Sequence, residues 1–144
     1  MRARNNTATI ARAPAEPPVV LDAAYADRLQ GLAFASAAHM PEVADRLLHE
    51  IDRAIVLPSR SVPPDVVNIG SQVTFLHEPD DQVQTVVLVL PQDADIARRR
   101  VSVLTPVGAA LIGLAEGASI TWDTRTGETR RLTVLRVEPA PAGR

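Results

Sequence analysis

The chain has 144 residues, of which 46% are hydrophobic and 3% aromatic, with a net charge of −2 at pH 7. This length suits one domain, or one small domain with an appendage, and the small charge excludes a broad basic surface for nucleic-acid binding. Cysteine is absent, which excludes disulfides and thiolate chemistry, and no apolar run approaches the ~20 residues of a membrane span. We therefore expect a soluble, cytoplasmic protein whose core is mainly aliphatic.

The amino-terminal part of the chain predicts a tail followed by two helices. Residues 1–18 mix arginine, alanine and proline and predict a flexible tail. Asp22 is a suitable N-cap, and Pro41 suits the first turn of a second helix, whose apolar stripe covers residues 41–57, or about 25 Å. Two helices with a short connection predict an antiparallel hairpin over residues 19–57. The hairpin either packs on the rest of the chain or projects from it.

After the hairpin the sequence period changes from helix to strand. Residues 58–65 contain three prolines and predict a linker. Residues 66–76 predict two short strands or one bent strand with Gly70 at the kink. Residues 83–90 predict an apolar strand that Pro91 ends. Further along, the sequence predicts turns at residues 78–81 and 123–128, a polar loop at residues 91–100, and a closing strand at residues 129–137.

A strand, a short helix and another strand are predicted over residues 101–122. Pro106 can start the helix, and Gly108 permits close packing against another backbone. Gly113 and Gly117 suit positive φ angles at the helix end and in the return turn. The chain as a whole predicts an α+β fold with a mainly antiparallel sheet. Its predicted units are a tail (residues 1–18), a helical hairpin (19–57), a linker (58–65), a sheet domain (66–137) and a second tail (138–144).

Candidate catalytic and metal-binding groups do not form a recognised motif. The histidines lie on three different predicted elements, without the spacing of a two-histidine site: His39, His49 and His77. Two pairs of aspartates suit Mg²⁺ by residue type, but no phosphate-binding loop accompanies them: Asp80 with Asp81, and Asp93 with Asp95. No Gly-x-Ser-x-Gly elbow occurs either. We therefore predict no catalytic residue, no metal site and no cofactor.

One basic cluster, Arg98-Arg99-Arg100, directly precedes the predicted strand at residue 101. It is either a solvated loop or a contact with an acidic protein surface. In the second case its charge would steer association more than it strengthens binding.

The sequence Thr105-Pro106-Val107-Gly108, with the glycines and apolar residues that follow it, resembles the carboxy-terminal signature of the GreA/GreB transcript-cleavage factors. That resemblance implies an amino-terminal coiled coil and an FKBP-like carboxy-terminal domain that docks on RNA polymerase at the secondary channel. The Rnk family, the regulators of nucleoside diphosphate kinase with a short coiled coil, is a closer match. This match extends to Leu21-Asp22-Ala23, residues 48–54 and Pro64-Asp65-Val66-Val67. By resemblance, the polymerase-binding residues are Thr105, Pro106, Val107 and Gly108, with help from Arg98, Arg99 and Arg100.

Within this family, the residues at the hairpin tip distinguish catalytic cleavage factors from non-catalytic regulators. Gre factors carry acidic residues at the coiled-coil tip, where they hold Mg²⁺ in the polymerase active site and activate water. The corresponding residues 33–40 contain no carboxylate, and the predicted hairpin is far shorter than a Gre coiled coil. We therefore expect a monomeric, non-catalytic protein that binds RNA polymerase and competes with Gre factors, without direct sequence-specific nucleic-acid binding. The family name implies an influence on nucleoside diphosphate kinase.

The sequence leaves two other functions open. A divergent transcript-cleavage factor would need a carboxylate at the tip, and Glu42 is the nearest candidate. An FKBP-like prolyl isomerase or chaperone would need an aromatic pocket, to which the sheet domain contributes only Phe75 and Trp122.

Overall fold

A five-stranded sheet carries the carboxy-terminal part of the molecule, and a helical hairpin packs against it. The computed structural model describes residues 16–123 and 126–139. The elements in chain order are β1 (Val20–Asp22), α1 (Ala23–Ser36), α2 (Pro41–Asp52), β2 (Ile55–Leu57), β3 (Gln72–Glu78), β4 (Gln82–Val89), β5 (Arg100–Ser102), α3 (Pro106–Leu111), β6 (Ser119–Asp123) and β7 (Thr129–Glu138). One-turn 3₁₀ helices lie at Ser59–Ser61, Pro91–Asp93 and Ile96–Arg98. The α+β fold predicted from the sequence is confirmed.

The large sheet has the strand order β5-β4-β3-β7-β6. Every neighbouring pair in it is antiparallel except β4 and β5, which run parallel. The sheet is therefore mainly antiparallel, as predicted. A second, two-stranded sheet pairs β1 with β2 in parallel.

The two hairpin helices begin at the residues that the sequence predicted. The Asp22 carboxylate caps α1 by accepting a hydrogen bond from the Ala24 N–H group at 2.8 Å. Pro41 is the first residue of α2, where its missing N–H group costs nothing. The 14 residues of α1 span about 21 Å at ~1.5 Å per residue.

The second helix is shorter than predicted, because it ends at Asp52 and not at Leu57. Residues 55–57 leave the helix and pair with β1, with Ile55 opposite Val20. Ile55 and Val56 are β-branched and favour strands, and β1 offers them a hydrogen-bonding edge. The predicted 25 Å rod over residues 41–57 is therefore wrong.

The hairpin packs on the sheet domain and does not project from it. Helix α2 contacts α3, and Leu29 and Leu47 share one buried cluster with Phe75 and Leu111. The Arg46 guanidinium also lies 5.9 Å from the centre of the Trp122 ring, a cation–π contact between α2 and β6.

Gly113 makes a second connection between the two parts of the molecule. Its carbonyl accepts a hydrogen bond from the Val20 N–H group at 3.0 Å. Its φ is +83°, and an added Cβ would lie 2.4 Å from Cγ1 of Val19. The positive φ confirms the prediction for this glycine, and the missing side chain leaves room for the chain that enters β1.

The predicted strand at residues 66–69 is wrong, because Val66 and Val67 bond residues 113–115 and the chain then turns at residues 68–71. A single bridge joins Val66 to Ala115. The Asn68 side chain accepts from the Ile69 N–H group at 2.8 Å, and Ser71 donates its N–H group to the Asn68 carbonyl at 3.0 Å. Side chains that bond to nearby backbone compete with strand pairing, and Gly70, at φ +95°, completes the turn.

Most residues of the two predicted tails lie outside the part of the chain that the structure describes. Residues 1–15 and 140–144, and residues 124–125 of the predicted turn, lie outside this part. Glu16 and Pro17 of the first predicted tail are held against α2 by hydrogen bonds from the His49 and Arg53 side chains. Glu138, the first residue of the second predicted tail, belongs to β7. In the described ranges, no helix combines the length and the apolar character needed to cross a membrane.

Candidate functional site

Thr105 stands at the start of α3, and its hydroxyl group is bonded within the chain. It accepts a hydrogen bond from the Gly108 N–H group at 3.0 Å and donates one to the Ser102 carbonyl at 2.7 Å. The first of these caps the helix by satisfying one of its free N–H groups. Thr105 therefore fixes the position of α3 relative to β5.

Gly108 is buried against the main chain that leads from β5 into α3. A Cβ added at this residue would lie 2.2 Å from the Ser102 carbonyl oxygen and 2.9 Å from Cα of Val103. These atoms belong to the backbone and cannot swing aside as a side chain does. The close packing predicted for Gly108 is confirmed.

The four residues that the resemblance assigns to polymerase contact differ in exposure. Pro106 is exposed, Thr105 and Val107 are half-buried, and Gly108 is buried. A partner that approaches this turn would meet Pro106 first. Thr105 and Gly108 shape the turn from inside.

The predicted basic cluster lies on a closed loop at residues 95–100, which we name the arginine loop. At its base, Asp95 and Arg100 exchange two backbone hydrogen bonds, each 2.9 Å long. Between them, Ile96–Arg98 form a 3₁₀ turn that Arg99 ends in the left-handed conformation, at φ +57°. Hydrogen bonds at the base and a turn at the tip make a preorganised loop.

The arginine loop presents an apolar side chain beside two arginines. Ile96 is 91% exposed, the largest exposure among the large hydrophobic residues that are described. The Arg98 side chain is 70% exposed and lies 3.7 Å from Asp95, and Arg99 is exposed as well. Arg100 is half-buried in β5, so the predicted cluster of three divides into two exposed arginines and one structural residue. Sequence reasoning missed Ile96, although a lone apolar residue in a polar segment was a usable signal.

The arginine loop and Pro106 lie at opposite ends of the same short strand. The loop leads into β5, and residues 103–105 join β5 to Pro106. The six residue steps from Arg100 to Pro106 span at most about 22 Å. A protein partner of ordinary size can therefore contact both features at once.

The hairpin tip consists of uncharged residues and one histidine. Helix α1 ends at Ser36, and α2 begins at Pro41. Near this end Phe34 is 62% exposed, and His39 is exposed in the connecting turn. The tip therefore offers apolar surface where a cleavage factor would offer carboxylates.

An ion cluster surrounds the buried Glu50 of α2. It consists of Glu16, Arg46, His49, Glu50 and Arg53. Glu50 is fully buried and accepts hydrogen bonds from Arg46 at 2.8 Å and from Arg53 at 2.9 Å. Glu16 bonds His49 at 2.7 Å and lies 3.4 Å from Arg53. Residues 46, 49, 50 and 53 share one face of a helix, and this spacing is the sequence signal for the cluster.

The ion cluster also brings together three potential metal ligands. One ligand atom from each of Glu16, His49 and Glu50 lies within 4.8 Å of the others. Two guanidinium groups, from Arg46 and Arg53, already contact the carboxylates of this set. They would repel a metal cation and they neutralise the buried charge of Glu50. We interpret the cluster as structural, fixing the chain that enters β1 onto α2.

Replacing Glu16 by glutamine is expected to lower stability at neutral pH, by less than about 1 kcal/mol because the side chain is 40% exposed. The hydrogen bond from His49 lowers the pKa of Glu16, burial raises it, and the charges of Arg53, His49 and Arg46 lower it further. A carboxyl group with a lowered folded-state pKa stabilises the protein above its unfolded-state pKa, and this contribution is lost as the pH falls through the folded-state pKa. Urea denaturation of both proteins as a function of pH should therefore show curves that converge in acid. A difference that persisted below the folded-state pKa would contradict this assignment.

Comparison with known proteins gives a family to each part of the chain. The model of the GreA/GreB transcription elongation factor carboxy-terminal domain matches residues 62–139. The model of the Rnk amino terminus matches residues 17–57. Together they cover the hairpin, the sheet and the arginine loop.

Individual relatives agree with both models. The regulator of nucleoside diphosphate kinase of Escherichia coli strain K12 is 35% identical over 125 residues, which cover 87% of this chain and 92% of that protein. The transcription elongation factor GreA of Geobacillus kaustophilus is 32% identical over 78 residues, which cover 54% of this chain and 49% of that protein. A solved structure of a prokaryotic GreA/GreB elongation factor from Nitrosomonas europaea matches with a TM-score of 0.65 and 33% identity, over 85% of this chain and 99% of that one. The chain therefore belongs to the Rnk family, whose carboxy-terminal domain is of the GreA/GreB type.

Proposed function

We propose that this protein is a non-catalytic regulator that binds RNA polymerase near the secondary channel and competes there with Gre factors. The observation that carries the proposal is the hairpin: it is short, it packs on the sheet domain through α2 and α3, and residues 33–40 hold no carboxylate. Such a protein would occupy the docking position of a cleavage factor without supplying its chemistry. It would act in the cytoplasm, as the polymerase does.

The chemistry of Mg²⁺ supports the non-catalytic part of this proposal. Mg²⁺ prefers oxygen ligands and is usually bound through one or two carboxylates. The tip instead offers Phe34 and His39, and neither side chain provides such an oxygen. Helix α1 spans about 21 Å, and a hairpin of this length that folds onto its own domain has little reach into a deep channel.

The docking surface that we propose consists of the arginine loop and Pro106. A preorganised loop loses little conformational entropy on binding, and an exposed apolar side chain in its centre is a suitable anchor for a pocket. Arg98 and Arg99 beside Ile96 favour a partner surface that is acidic around such a pocket and would increase the rate of association. We also propose that the sheet domain is FKBP-like, as the resemblance to Gre factors implies.

The test is a competition assay on backtracked RNA polymerase complexes, with RNA cleavage by an added Gre factor as the readout. The protein alone is expected to produce no cleavage, and increasing amounts of it should slow cleavage by the Gre factor. Arg98→Asp combined with Ile96→Ala should raise the concentration needed for half-inhibition at least about tenfold, which corresponds to about 1.4 kcal/mol.

The matched control is Arg60→Asp, because Arg60 is also exposed but lies outside the docking surface. This variant should inhibit as the unchanged protein does. Gly108 is unsuitable for the assay, since its substitution would disturb the fold. Failure of the unchanged protein to bind polymerase or to slow Gre-dependent cleavage would rule out the proposal. Cleavage by the protein alone at saturation would favour the divergent cleavage factor, with Glu42 as the first residue to substitute.

The prolyl isomerase alternative depends on the aromatic residues of the sheet domain. Phe75 is buried in the core at 1% exposure and therefore lines no open pocket. Trp122, which contacts Arg46, is then the one aromatic residue left in the sheet domain for the pocket that a prolyl isomerase needs. An influence on nucleoside diphosphate kinase, which the name of the Escherichia coli relative carries, is part of our proposal as an indirect effect through transcription.

A further inference from the structure

Strand β4 has a free edge at residues 82–86. Strand β3 pairs with β4 from Gln82 to Val87 on one side, whereas β5 covers only Val87–Val89 on the other. In the described parts of the chain, no strand pairs with residues 82–86 on the β5 side. The Val87 N–H group points to that side, where it donates to the Arg99 carbonyl at 2.9 Å. Because backbone groups alternate along a strand, those of Val83 and Thr85 face the free edge too.

Within residues 16–123 and 126–139, the free edge lacks the features that usually prevent strands from associating. Natural edges are protected by charged side chains, prolines, bulges or a covering segment. Residues 82–86 contain neither a charged residue nor a proline, and Val83 is 60% exposed. A groove runs along this edge, lined by strand residues together with Arg98 and Arg99.

The two ends of the free edge carry opposite charges. Arg98 and Arg99 lie at the Val87 end, where the Arg99 carbonyl is bonded to the strand. Asp95 lies 3.7 Å from Arg98, so the two arginines leave an excess of one positive charge at this end. Asp80 and Asp81 belong to the turn that leads into the other end. The Asp80 side chain lies 3.6 Å from His77 and is 54% exposed. A second strand with the same charges at its own ends could lie antiparallel along this edge. Opposite charges would then meet at each of the two ends.

We propose that the free edge of β4 pairs antiparallel with the same edge of a second copy of this chain and forms a symmetric dimer. A two-fold axis near Val83 places the two Val83 side chains together, and it brings Asp80 of each copy toward Arg98 of the other. Such a contact is isologous, so each favourable charge pair occurs twice. An acidic peptide would satisfy the arginine end and leave the aspartate end unmatched, which is why the second copy is the better occupant.

The dimer is expected to be weak. Pairing along about five residues buries less than the ~1,200 Å² of a stable interface, so a dissociation constant on the order of 100 μM is expected. Screening of the two charge pairs by salt should weaken it further. Arg98 and Arg99 belong to both surfaces, so a dimerised protein could not use them for polymerase. The test of the dimer contains neither polymerase nor a Gre factor, so its outcome is distinguishable from that of the proposed function.

Sedimentation equilibrium of the full chain at low salt tests the inference. The unchanged protein should form dimers as its concentration rises from about 10 μM to about 1 mM. Arg98→Asp and Asp80→Arg should each be monomeric over this range, because each places like charges together at both contacts. Val83→Pro should weaken the dimer as well, since it removes an N–H group that faces the free edge and none that faces β3.

The symmetry of the proposed contact permits a sharper experiment. An equimolar mixture of the Arg98→Asp and Asp80→Arg proteins should dimerise, because both charge pairs are restored between unlike copies. Failure of the mixture to associate overturns the antiparallel geometry, and so does a dimer that the single substitutions leave unchanged. An unchanged protein that stays monomeric throughout overturns the dimer itself. If that monomer binds a fluorescent acidic peptide and the Val83→Pro protein does not, the edge serves a peptide partner instead.

Discussion

Replacing Gly108 by alanine is expected to lower the free energy of unfolding by about 3 kcal/mol or more. The added Cβ would lie 2.2 Å from the Ser102 carbonyl oxygen and 2.9 Å from Cα of Val103. Both atoms are main-chain atoms in the turn between β5 and α3, so the helix must move away from the strand. That movement also weakens the Thr105 cap, whose hydroxyl bonds both Ser102 and Gly108. Guanidinium denaturation followed by circular dichroism measures the loss.

Gly31→Ala is the matched control for this substitution. Gly31 lies inside α1, and apart from its chain neighbours and the nearby backbone of its own helix, an added Cβ there would have no heavy atom within 4 Å. Alanine is the better helix former by about 1 kcal/mol, so this variant should be as stable as the unchanged protein or more stable. A Gly108→Ala protein of unchanged stability would show that α3 is not held against β5 as the structure indicates.

Replacing Asp22 by alanine is expected to lower the free energy of unfolding by about 3 kcal/mol. The Asp22 carboxylate is buried and accepts three hydrogen bonds, from the Ala24 N–H group at 2.8 Å, the Ser59 hydroxyl at 2.6 Å and the Asn68 amide at 2.9 Å. These donors belong to α1, to the predicted linker and to the turn before β3. One side chain therefore joins three segments of the chain, and its removal leaves three donors without their acceptor.

Asp22 should also contribute to the loss of stability in acid. Burial raises the pKa of this carboxyl, but the hydrogen bonds from Ser59, Asn68 and Ala24 lower it more, so that it lies below its ordinary value. The contribution is therefore present above the unfolded-state pKa and is lost as the pH falls through the folded-state pKa.

Asp22→Asn removes the charge of the side chain but keeps its helix-capping oxygen, because asparagine caps helices as well as aspartate does. This variant should lose less stability than Asp22→Ala and should show a weaker dependence on acid pH. Asp27→Ala, an exposed change on the same helix, should alter stability by no more than about 0.5 kcal/mol. Equal losses for Asp22→Ala and Asp27→Ala would refute the role of Asp22 as a connection between segments.

Local chemistry made the helix starts and several turns predictable. Asp22, Pro41 and Pro106 have side chains that favour the start of a helix whatever surrounds them. Gly113 and Gly117 lie at φ +83° and +88°, as their positions at a helix end and in a turn suggested. Each of these predictions rests on a preference of one residue for its own backbone conformation, and such preferences are readable without a tertiary structure.

The end of the second helix was not predictable in the same way. Ile55 continues the apolar stripe of α2, and its helical period is as good as that of the residues before it. Its β-branched side chain favours a strand, but the preference is decided by β1, which lies 35 residues away in sequence. Pairing partners at such distances are absent from local patterns.

The docking surface shows the same division between local and tertiary information. The sequence marked Thr105, Pro106, Val107 and Gly108 as one motif. In the folded chain Thr105 and Gly108 bond and pack internally, and Pro106 is the member that is exposed. The exposure of Ile96 depends on the two backbone hydrogen bonds that close the arginine loop, and residue types alone do not reveal them.

The sequence by itself determined the family, the α+β class, the glycine and proline positions around α3, and the absence of carboxylates from the hairpin tip. These are properties of residue type and spacing, and they survive in any arrangement of the elements. The tertiary structure alone decided that the hairpin packs on the sheet domain through α2 and α3, and that Asp22 joins three segments. It also decided that, among the described residues, no strand pairs with residues 82–86 of β4 on the β5 side. Each of these depends on which distant groups meet, because burial and hydrogen-bond partners arise only when the chain closes on itself.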